Sequence, residues 1–295
     1  MRIRRPATLA ATLMLAAVPI FSSGVAAGGG SSESARQAAE HNRIVSFWTR
    51  ARMQAAVPRD FAYDSVRGFH IVPRAKPGSG GGNTGASWPN GKGLVYKATG
   101  KVYFQMNGSG WICSGTALQD TRANQSLVVT AGHCVYDEEN GNGSLSGFAT
   151  NWLFIPEFDS HPTYTCADTT YGCWTAQALV VNKGFATAGG FTTTATHYDW
   201  GFAVVGAGGK SGTASLEATV GTFNYAASSM TGGSSGGPWL SGFDTATGNS
   251  GTIKSLNSYG YSGQSNMYGP KFNADTSNTY GAANNTNTTS NTIVN

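Results

Sequence analysis

The chain has 295 residues, of which 40% are hydrophobic, 11% are aromatic and only 12% are charged. This composition excludes a disordered, highly charged chain, and the 41 glycines favour many short strands with tight turns over a helical bundle. The net charge of +4 comes from residues 1–80, with 11 basic against 4 acidic side chains, whereas residues 81–295 have 8 against 11. We therefore expect neither a nucleic acid nor a membrane as a partner.

The first 27 residues have the pattern of a secretion signal. Arg2, Arg4 and Arg5 precede an apolar run at 7–20, and small residues at 25–27 offer a cleavage site. The run is too short to cross a bilayer comfortably, and the alternative is a buried N-terminal helix. We predict that this signal is removed and that the mature protein is extracellular.

Residues 28–80 differ in character from the rest of the chain. Glycine-rich stretches lie at 28–32 and 77–85, and residues 33–53 between them carry a moderate helix signal. A basic, locally helical segment between loose linkers is typical of a pro-region that is cut away after secretion, and it is a candidate inhibitor of the mature protein. The alternative is an extension that stays attached and packs on the body.

The predicted secretion decides how the four cysteines are interpreted, because suitably placed thiols form disulfides in the oxidising environment outside the cytoplasm. Six residues separate Cys166 from Cys173, which favours a local pair and leaves Cys113 with Cys134. The alternative is a metal site, but none of the spacings is C-x-x-C and no histidine cluster accompanies them. We predict two disulfides and no metal.

From residue 94 the pattern changes to short apolar runs separated by Gly, Asn, Asp and Ser, without any βαβ alternation. This pattern predicts an all-β body, with a short helix near residue 275 and a frayed C-terminus. The predicted strands are 95–106, 111–118, 127–131, 152–155, 176–181, 200–205, 251–261 and 265–272.

Two local motifs carry chemistry. In 128–134 (VVTAGHC) an apolar strand leads to His133, and in 232–239 (GGSSGGPW) glycines permit a tight turn from which Ser235 projects. Neighbouring N–H groups of such a turn converge on one point, as stabilisation of an oxyanion requires. A serine nucleophile needs a base within hydrogen-bond reach, and His133 is the candidate.

The base in turn needs a carboxylate that holds its tautomer. Asp199 is the candidate, because it is a lone carboxylate that enters an apolar strand, where burial demands a partner. Asp159 and Asp168 are competitors, although both lie in polar, loop-like sequence.

These motifs resemble those of the trypsin/chymotrypsin-like serine endopeptidases. CSGT at 113–116, TAGHC at 130–134 and GGSSGGP at 232–238 stand in that family's order, and the likeness is closest to the secreted bacterial branch that includes glutamyl endopeptidases. It covers roughly residues 102–272. The resemblance implies a protease domain at 81–295 with two antiparallel β-barrels, an active site in the cleft between them, a polypeptide substrate and no cofactor.

The resemblance also implies roles for individual residues. It makes His133 the general base, Asp199 its orienting acid and Ser235 the nucleophile. The backbone N–H groups of Gly233 and Ser235 form the oxyanion hole. A disulfide between Cys113 and Cys134 closes the loop behind the histidine.

Two departures from the family pattern stand near the nucleophile. Ser234 replaces the aspartate that pairs with the new N-terminal ammonium of trypsin-type zymogens, so we expect removal of the pro-region to act by unblocking the cleft. Only 35 residues separate Asp199 from Ser235, which at about 5 to 6 residues per strand leaves room for two or three strands. An incomplete second barrel, and a catalytically weak or inactive protease-like binding protein, are therefore the alternatives.

The expected specificity follows from two positions. Ser229 stands six residues before the nucleophile, where trypsin-type enzymes carry an aspartate, so basic side chains are not favoured before the scissile bond. The residues that resemble the pocket-lining, substrate-pairing strand are Asn257, Ser258, Tyr259 and Gly260. Glutamyl endopeptidases have a histidine at the position of Asn257, which argues against acidic side chains too. We predict an uncharged or apolar residue before the scissile bond.

Residues 233–237 also match G-x-S-x-G, the nucleophile elbow of α/β-hydrolase esterases. In that class the turn lies between a strand and a helix and the histidine comes last. Here Pro238 follows the turn and His133 precedes it, so the esterase alternative predicts a helix after Ser235 as its distinguishing feature.

Overall fold

The computed structural model describes residues 29–72, 93–158, 165–226, 235–264 and 266–295. The predicted secretion signal, Asp159, Ser229, Gly233 and Ser234 lie outside these residues. Within them, no helix is both long and apolar enough to cross a membrane.

The N-terminal segment, residues 29–72, contains two helices and three short strands. They are α1 (Gly29–Phe47), α2 (Arg50–Ala55), β1 (Val57–Pro58), β2 (Phe61–Asp64) and β3 (Gly68–Ile71). The single helix predicted at 33–53 is interrupted because Thr49 adopts an extended conformation and caps α2, its hydroxyl accepting a hydrogen bond from Arg52 N at 3.3 Å.

The next part of the chain builds a closed barrel. Its elements are α3 (Leu94–Ala98), β4 (Thr99–Met106), β5 (Ser109–Leu118), β6 (Ser126–Thr130), β7 (Thr150–Pro156), β8 (Trp174–Asn182), α4 (Lys183–Ala186), α5 (Thr193–Thr196) and β9 (Gly201–Val205). Six antiparallel strands pair in the order β5-β4-β7-β8-β9-β6, and β6 returns to β5. The strand predicted to begin at 95 begins at Thr99, because the preceding residues form α3.

The remaining elements flank this barrel. They are α6 (Leu216–Val220), β10 (Asn224–Ala226), β11 (Pro238–Ser241), β12 (Thr252–Leu256), β13 (Tyr259–Tyr261), β14 (Met267–Tyr268), α7 (Ala274–Asn284) and β15 (Thr292–Val294). One sheet has the order β10-β12-β11, and a second has the order β14-β13-β2-β3. The all-β prediction is confirmed. Between β9 and Ser235 the described residues contain one strand, β10, in a stretch for which we predicted two or three at most.

Three predictions at the C-terminal end are wrong in detail. The strand predicted at 265–272 is reduced to the two residues of β14 among those described. The strand predicted at 251–261 is two strands, β12 and β13, which belong to different sheets. The predicted fraying at the C-terminus is also wrong, because β15 pairs with β8 and Asn291 Oδ1 accepts a hydrogen bond from Leu179 N at 2.9 Å. The predicted helix near residue 275 is α7, which Asn273 caps.

The barrel interior is filled by large apolar side chains. Trp152, Trp174 and Trp200 are fully buried, together with Phe154 and Phe202. Burial of this much apolar surface is the main force that holds the barrel together.

Two disulfides join Cys113 to Cys134 and Cys166 to Cys173. The predicted pairing is therefore confirmed.

The N-terminal segment packs on the outside of the barrel. Ile44, Trp48 and Met53 are buried in a cluster with Tyr103 and Leu153. The indole of Trp48 also donates a hydrogen bond to the carbonyl oxygen of Asn151 at 2.6 Å. After this anchor, β1 pairs with β5 and β2 pairs with β13.

Candidate active site

His133 lies in a single 3₁₀ turn, Gly132–Cys134, that directly follows β6. All five residues of that strand are buried, and the disulfide between Cys134 and Cys113 fixes the turn to β5. The imidazole itself has no exposed surface. A buried histidine on a cross-linked turn has little freedom to change its orientation.

Asp199 lies two residues before β9, and the pairing of β9 with β6 brings it beside His133. Its carboxylate accepts hydrogen bonds from His133 Nδ1 at 2.8 Å, from His133 N at 2.8 Å and from Ser258 Oγ at 2.5 Å. Because a carboxylate can only accept here, Nδ1 carries the proton and Nε2 is left as a base. Asp168, the other candidate for the orienting acid in the described residues, contacts Arg50 and Thr165 instead.

Ser235 lies in the turn that enters β11, and its carbonyl oxygen accepts a hydrogen bond from Ser114 N at 2.7 Å. The next residue, Gly236, has φ +84°. A Cβ at this position would lie 2.3 Å from both the carbonyl oxygen of Ser114 and Oγ1 of Thr130. Only glycine permits so close an approach of the serine turn to the barrel. A strand, not a helix, follows, so the turn is not an α/β-hydrolase elbow.

The hydroxyl of Ser235 is directed to the N-terminal segment. Ser235 Oγ donates a hydrogen bond to Oδ1 of Asp60 at 2.8 Å. His133 Nε2 is the one buried side-chain nitrogen or oxygen without a hydrogen-bond partner in the described part of the chain. The predicted base and the predicted nucleophile therefore do not share a hydrogen bond.

Aromatic rings from both parts of the chain cover the histidine. The ring of Phe61 lies 5.3 Å from that of His133, edge to face, and stacks on Phe191 at 3.9 Å. β2 pairs in parallel with β13, so that Phe61 lies opposite Tyr259. The N-terminal segment thus fills the space in front of the imidazole.

Arg59 anchors the same segment in a buried ionic pocket. Its guanidinium donates to both carboxylate oxygens of Glu138, at 3.1 and 3.2 Å, and to the carbonyl oxygen of His133 at 2.7 Å. Asp137 Oδ1 is 3.9 Å away. Burial raises the pKa of Glu138, and the positive charge of Arg59 opposes that rise.

The residues predicted to bind substrate have several different contacts. Asn257 Oδ1 accepts a hydrogen bond from the indole of Trp239 at 2.6 Å, while Ser258 supports Asp199. Burial raises the pKa of Tyr259 to about 12. Gly260 lies opposite Ala62 of β2. The strand that resembles a substrate-pairing strand is therefore occupied by the chain's own N-terminal segment.

Four residues of this site were not predicted from the sequence: Arg59, Asp60 and Phe61 on the N-terminal side, and Glu138 on the barrel side. A usable signal was present, since 57–63 (VPRDFAY) places two adjacent charges inside an otherwise apolar run. Buried charges need partners, so this pattern predicts a specific contact without identifying it.

One cluster of the metal-ligating residue types was found in the described residues: Cys113, His133 and Cys134. The two sulfurs are joined in a disulfide and cannot act as thiolate ligands. The donor set does not fit a metal ion.

Two proteases are among the solved structures to which this chain is similar. The first is the protease Anisep from Arthrobacter nicotinovorans, with 29% identity over 63% of this chain and 95% of that chain, at a TM-score of 0.47. The second is a thermostable serine protease, AL20, from an extremophilic microorganism, with 30% identity over 66% of this chain and 100% of that chain, at a TM-score of 0.49. Neither a family model nor a curated protein matches the sequence.

Proposed function

We propose that the chain is a secreted serine endopeptidase with Ser235 as nucleophile, His133 as general base and Asp199 as the group that orients the base. The observation that carries the proposal is the buried pair of His133 and Asp199, 2.8 Å apart, with Nε2 unpartnered among the described residues. A neutral imidazole held in this tautomer is a prepared proton acceptor. The family resemblance of the flanking motifs supports the same roles.

The reaction proceeds by acyl transfer. With Asp60 removed, His133 Nε2 takes the proton of Ser235 Oγ as the oxygen attacks the peptide carbonyl carbon. The C–N bond then breaks, and His133 gives the proton to the leaving amine. Water, deprotonated by the same nitrogen, hydrolyses the acyl ester and restores Ser235. The N–H groups of Gly233 and Ser235 stabilise the oxyanion.

Latency has a direct physical basis in this proposal. Asp60 presents a carboxylate to the nucleophile, and a carboxylate is a poor electrophile that cannot be cleaved as a peptide is. It also holds the hydroxyl proton away from His133. Residues 28–80 therefore act as an inhibitory pro-region, and the zymogen becomes active when the segment leaves the cleft. Export by the signal at 1–27 agrees with the two disulfides.

The experiment is hydrolysis of a quenched fluorescent polypeptide by protein cut at a specific protease site engineered within 73–92, with the N-terminal segment then removed. We expect turnover that is lost in Ser235→Ala and in His133→Ala. Turnover that persists in both variants would contradict the proposed roles.

A protease-like binding protein without catalysis is the second candidate. The hydrogen bond of Ser235 Oγ to Asp60, in place of one to His133, favours it, because a segment that never leaves would keep the site inactive. Absence of turnover by folded, trimmed protein would favour this candidate.

A further inference from the structure

We propose that the pocket now filled by Arg59, formed by Glu138, Asp137 and the carbonyl of His133, is a subsite for an arginine side chain of the polypeptide substrate. The inference rests on the proposed protease function and adds a substrate class to it. It concerns a different position from the residue before the scissile bond, for which Ser229 predicts no basic preference.

The pocket matches a guanidinium in shape as well as in charge. Each terminal nitrogen of Arg59 faces one oxygen of Glu138, at 3.1 and 3.2 Å, and one of them also reaches the carbonyl of His133 at 2.7 Å. Such forked geometry suits the planar guanidinium, whereas a lysine ammonium is a point charge. The indole of Trp111 adds an aromatic wall 5.9 Å from the guanidinium carbon.

These walls belong to the barrel domain and remain when the N-terminal segment leaves. Asp137 is already satisfied, because it accepts hydrogen bonds from Asn107 and from the side chain and backbone of Asn140. The two oxygens of Glu138, in contrast, both face Arg59. Its side chain is 2% exposed in the uncut chain. A carboxylate at this depth is costly without a cation, so departure of Arg59 leaves a site that favours a replacement.

The position of the pocket indicates which part of a substrate would occupy it. Arg59 immediately precedes Asp60, which contacts Ser235. Its backbone N–H donates to the carbonyl of Ile112 on β5 at 3.1 Å, whereas residues 61–63, which follow Asp60, pair with β13. Since 257–260 resembles the strand that binds residues before the scissile bond, the segment runs through the site in the direction opposite to that of a substrate. The position of Arg59 therefore receives a residue that follows the scissile bond, in the leaving peptide.

The primary test uses trimmed protein and a peptide library read by mass spectrometry. We expect arginine to be enriched among the first three residues after the cleaved bonds. For the best peptide, replacing arginine by its neutral isostere citrulline should lower kcat/KM about tenfold, the scale of a charge-assisted hydrogen bond. Glu138→Gln should abolish this difference, and the exposed neighbour variant Glu139→Gln should retain it. No enrichment, or an arginine preference that survives Glu138→Gln, would overturn the inference.

A binding measurement separates this inference from the proposed function. A synthetic peptide of residues 57–64 is titrated into trimmed Ser235→Ala protein, with Arg59 present or replaced by citrulline. We expect about tenfold weaker binding of the citrulline peptide. Because this change is in the ligand, it tests the pocket even where Glu138→Gln does not fold. Weaker citrulline binding without any turnover by trimmed wild type would support the pocket and reject the protease, whereas equal binding would reject the pocket.

Discussion

At the scale of single residues, the proposed latency depends on Asp60, the acceptor of the Ser235 hydroxyl. Asp60→Ala in the intact chain removes the acceptor at 2.8 Å from Ser235 Oγ. We expect labelling of Ser235 by a fluorophosphonate to rise about tenfold, since a hydrogen bond to a charged group is lost. Asp60→Asn should give a smaller rise, because an amide oxygen still accepts.

Asp64→Ala is the matched control for Asp60. It lies in the same hairpin, but its carboxylate binds the backbone and side chain of Arg67. It should leave the labelling rate unchanged. An unaltered rate in Asp60→Ala as well would remove the basis for the latency described above.

Ser258 is a positioning residue in this account. Its hydroxyl donates to Asp199 Oδ2 at 2.5 Å, on the same oxygen that receives His133 Nδ1. We expect Ser258→Ala to lower kcat of the trimmed protein about tenfold with little change in KM, because the orientation of the base is loosened. Ser258→Thr should recover part of kcat.

The control for this prediction is Ser255→Ala. Ser255 is equally buried on the neighbouring strand, and its hydroxyl donates to the carbonyl of Pro270, away from the triad. If Ser255→Ala lowered kcat as much as Ser258→Ala does, both effects would be assigned to a general loss of structure.

At the scale of elements, α1 and α2 anchor the N-terminal segment through Trp48, which is 2% exposed. Trp48→Ala should weaken docking of the cut segment by about 3–5 kcal/mol, the usual cost of removing a buried aromatic side chain. The measurement is the dissociation constant of the segment after cleavage within 73–92. Arg36→Ala is the control, because its exposed ion pair with Glu33 lies within α1. Equal dissociation constants for the two variants would contradict the proposal that Trp48 anchors the segment.

The docking of α1 should also depend on pH through His41. This side chain is buried, 3.3 Å from Thr175 Oγ1, and burial lowers its pKa below the free value. A histidine with a lowered folded pKa stabilises docking above the free pKa of about 6.5, and that contribution is lost as the pH falls below it. Acidification from pH 8 to pH 5 should therefore release the cut segment more readily. His41→Phe should reduce this pH dependence, and an identical dependence in both proteins would assign it to other groups.

At the scale of the whole molecule, the barrel and the three proposed catalytic residues could be predicted because each signal is local. A buried strand leads to His133, a glycine turn presents Ser235, and a lone acid, Asp199, stands just before a buried apolar strand. The contact of Asp60 with Ser235 could not be predicted in this way, since 175 positions separate them and no periodicity links such distant segments. The pairing of β2 with β13 is likewise set by tertiary packing.

The part of the fold that follows β9 was predictable only in outline. The short interval before Ser235 indicated few strands, and the described part contains β10 alone between α6 and residue 227. The N-terminal segment then contributes β2 and β3 to the sheet that contains β13. Because the sequence was divided into a pro-region and a body, it gave no reason to expect a single sheet with strands from both parts of the chain.

The most direct test of the central claim is fluorophosphonate labelling of the full chain before and after the N-terminal segment is cut within 73–92 and removed. Such a probe reacts appreciably only with a serine whose base and oxyanion donors are in place. We expect weak labelling before removal, strong labelling afterwards, and none in Ser235→Ala or His133→Ala. Folded, trimmed protein that remains unlabelled would contradict the account and favour the inactive binding protein.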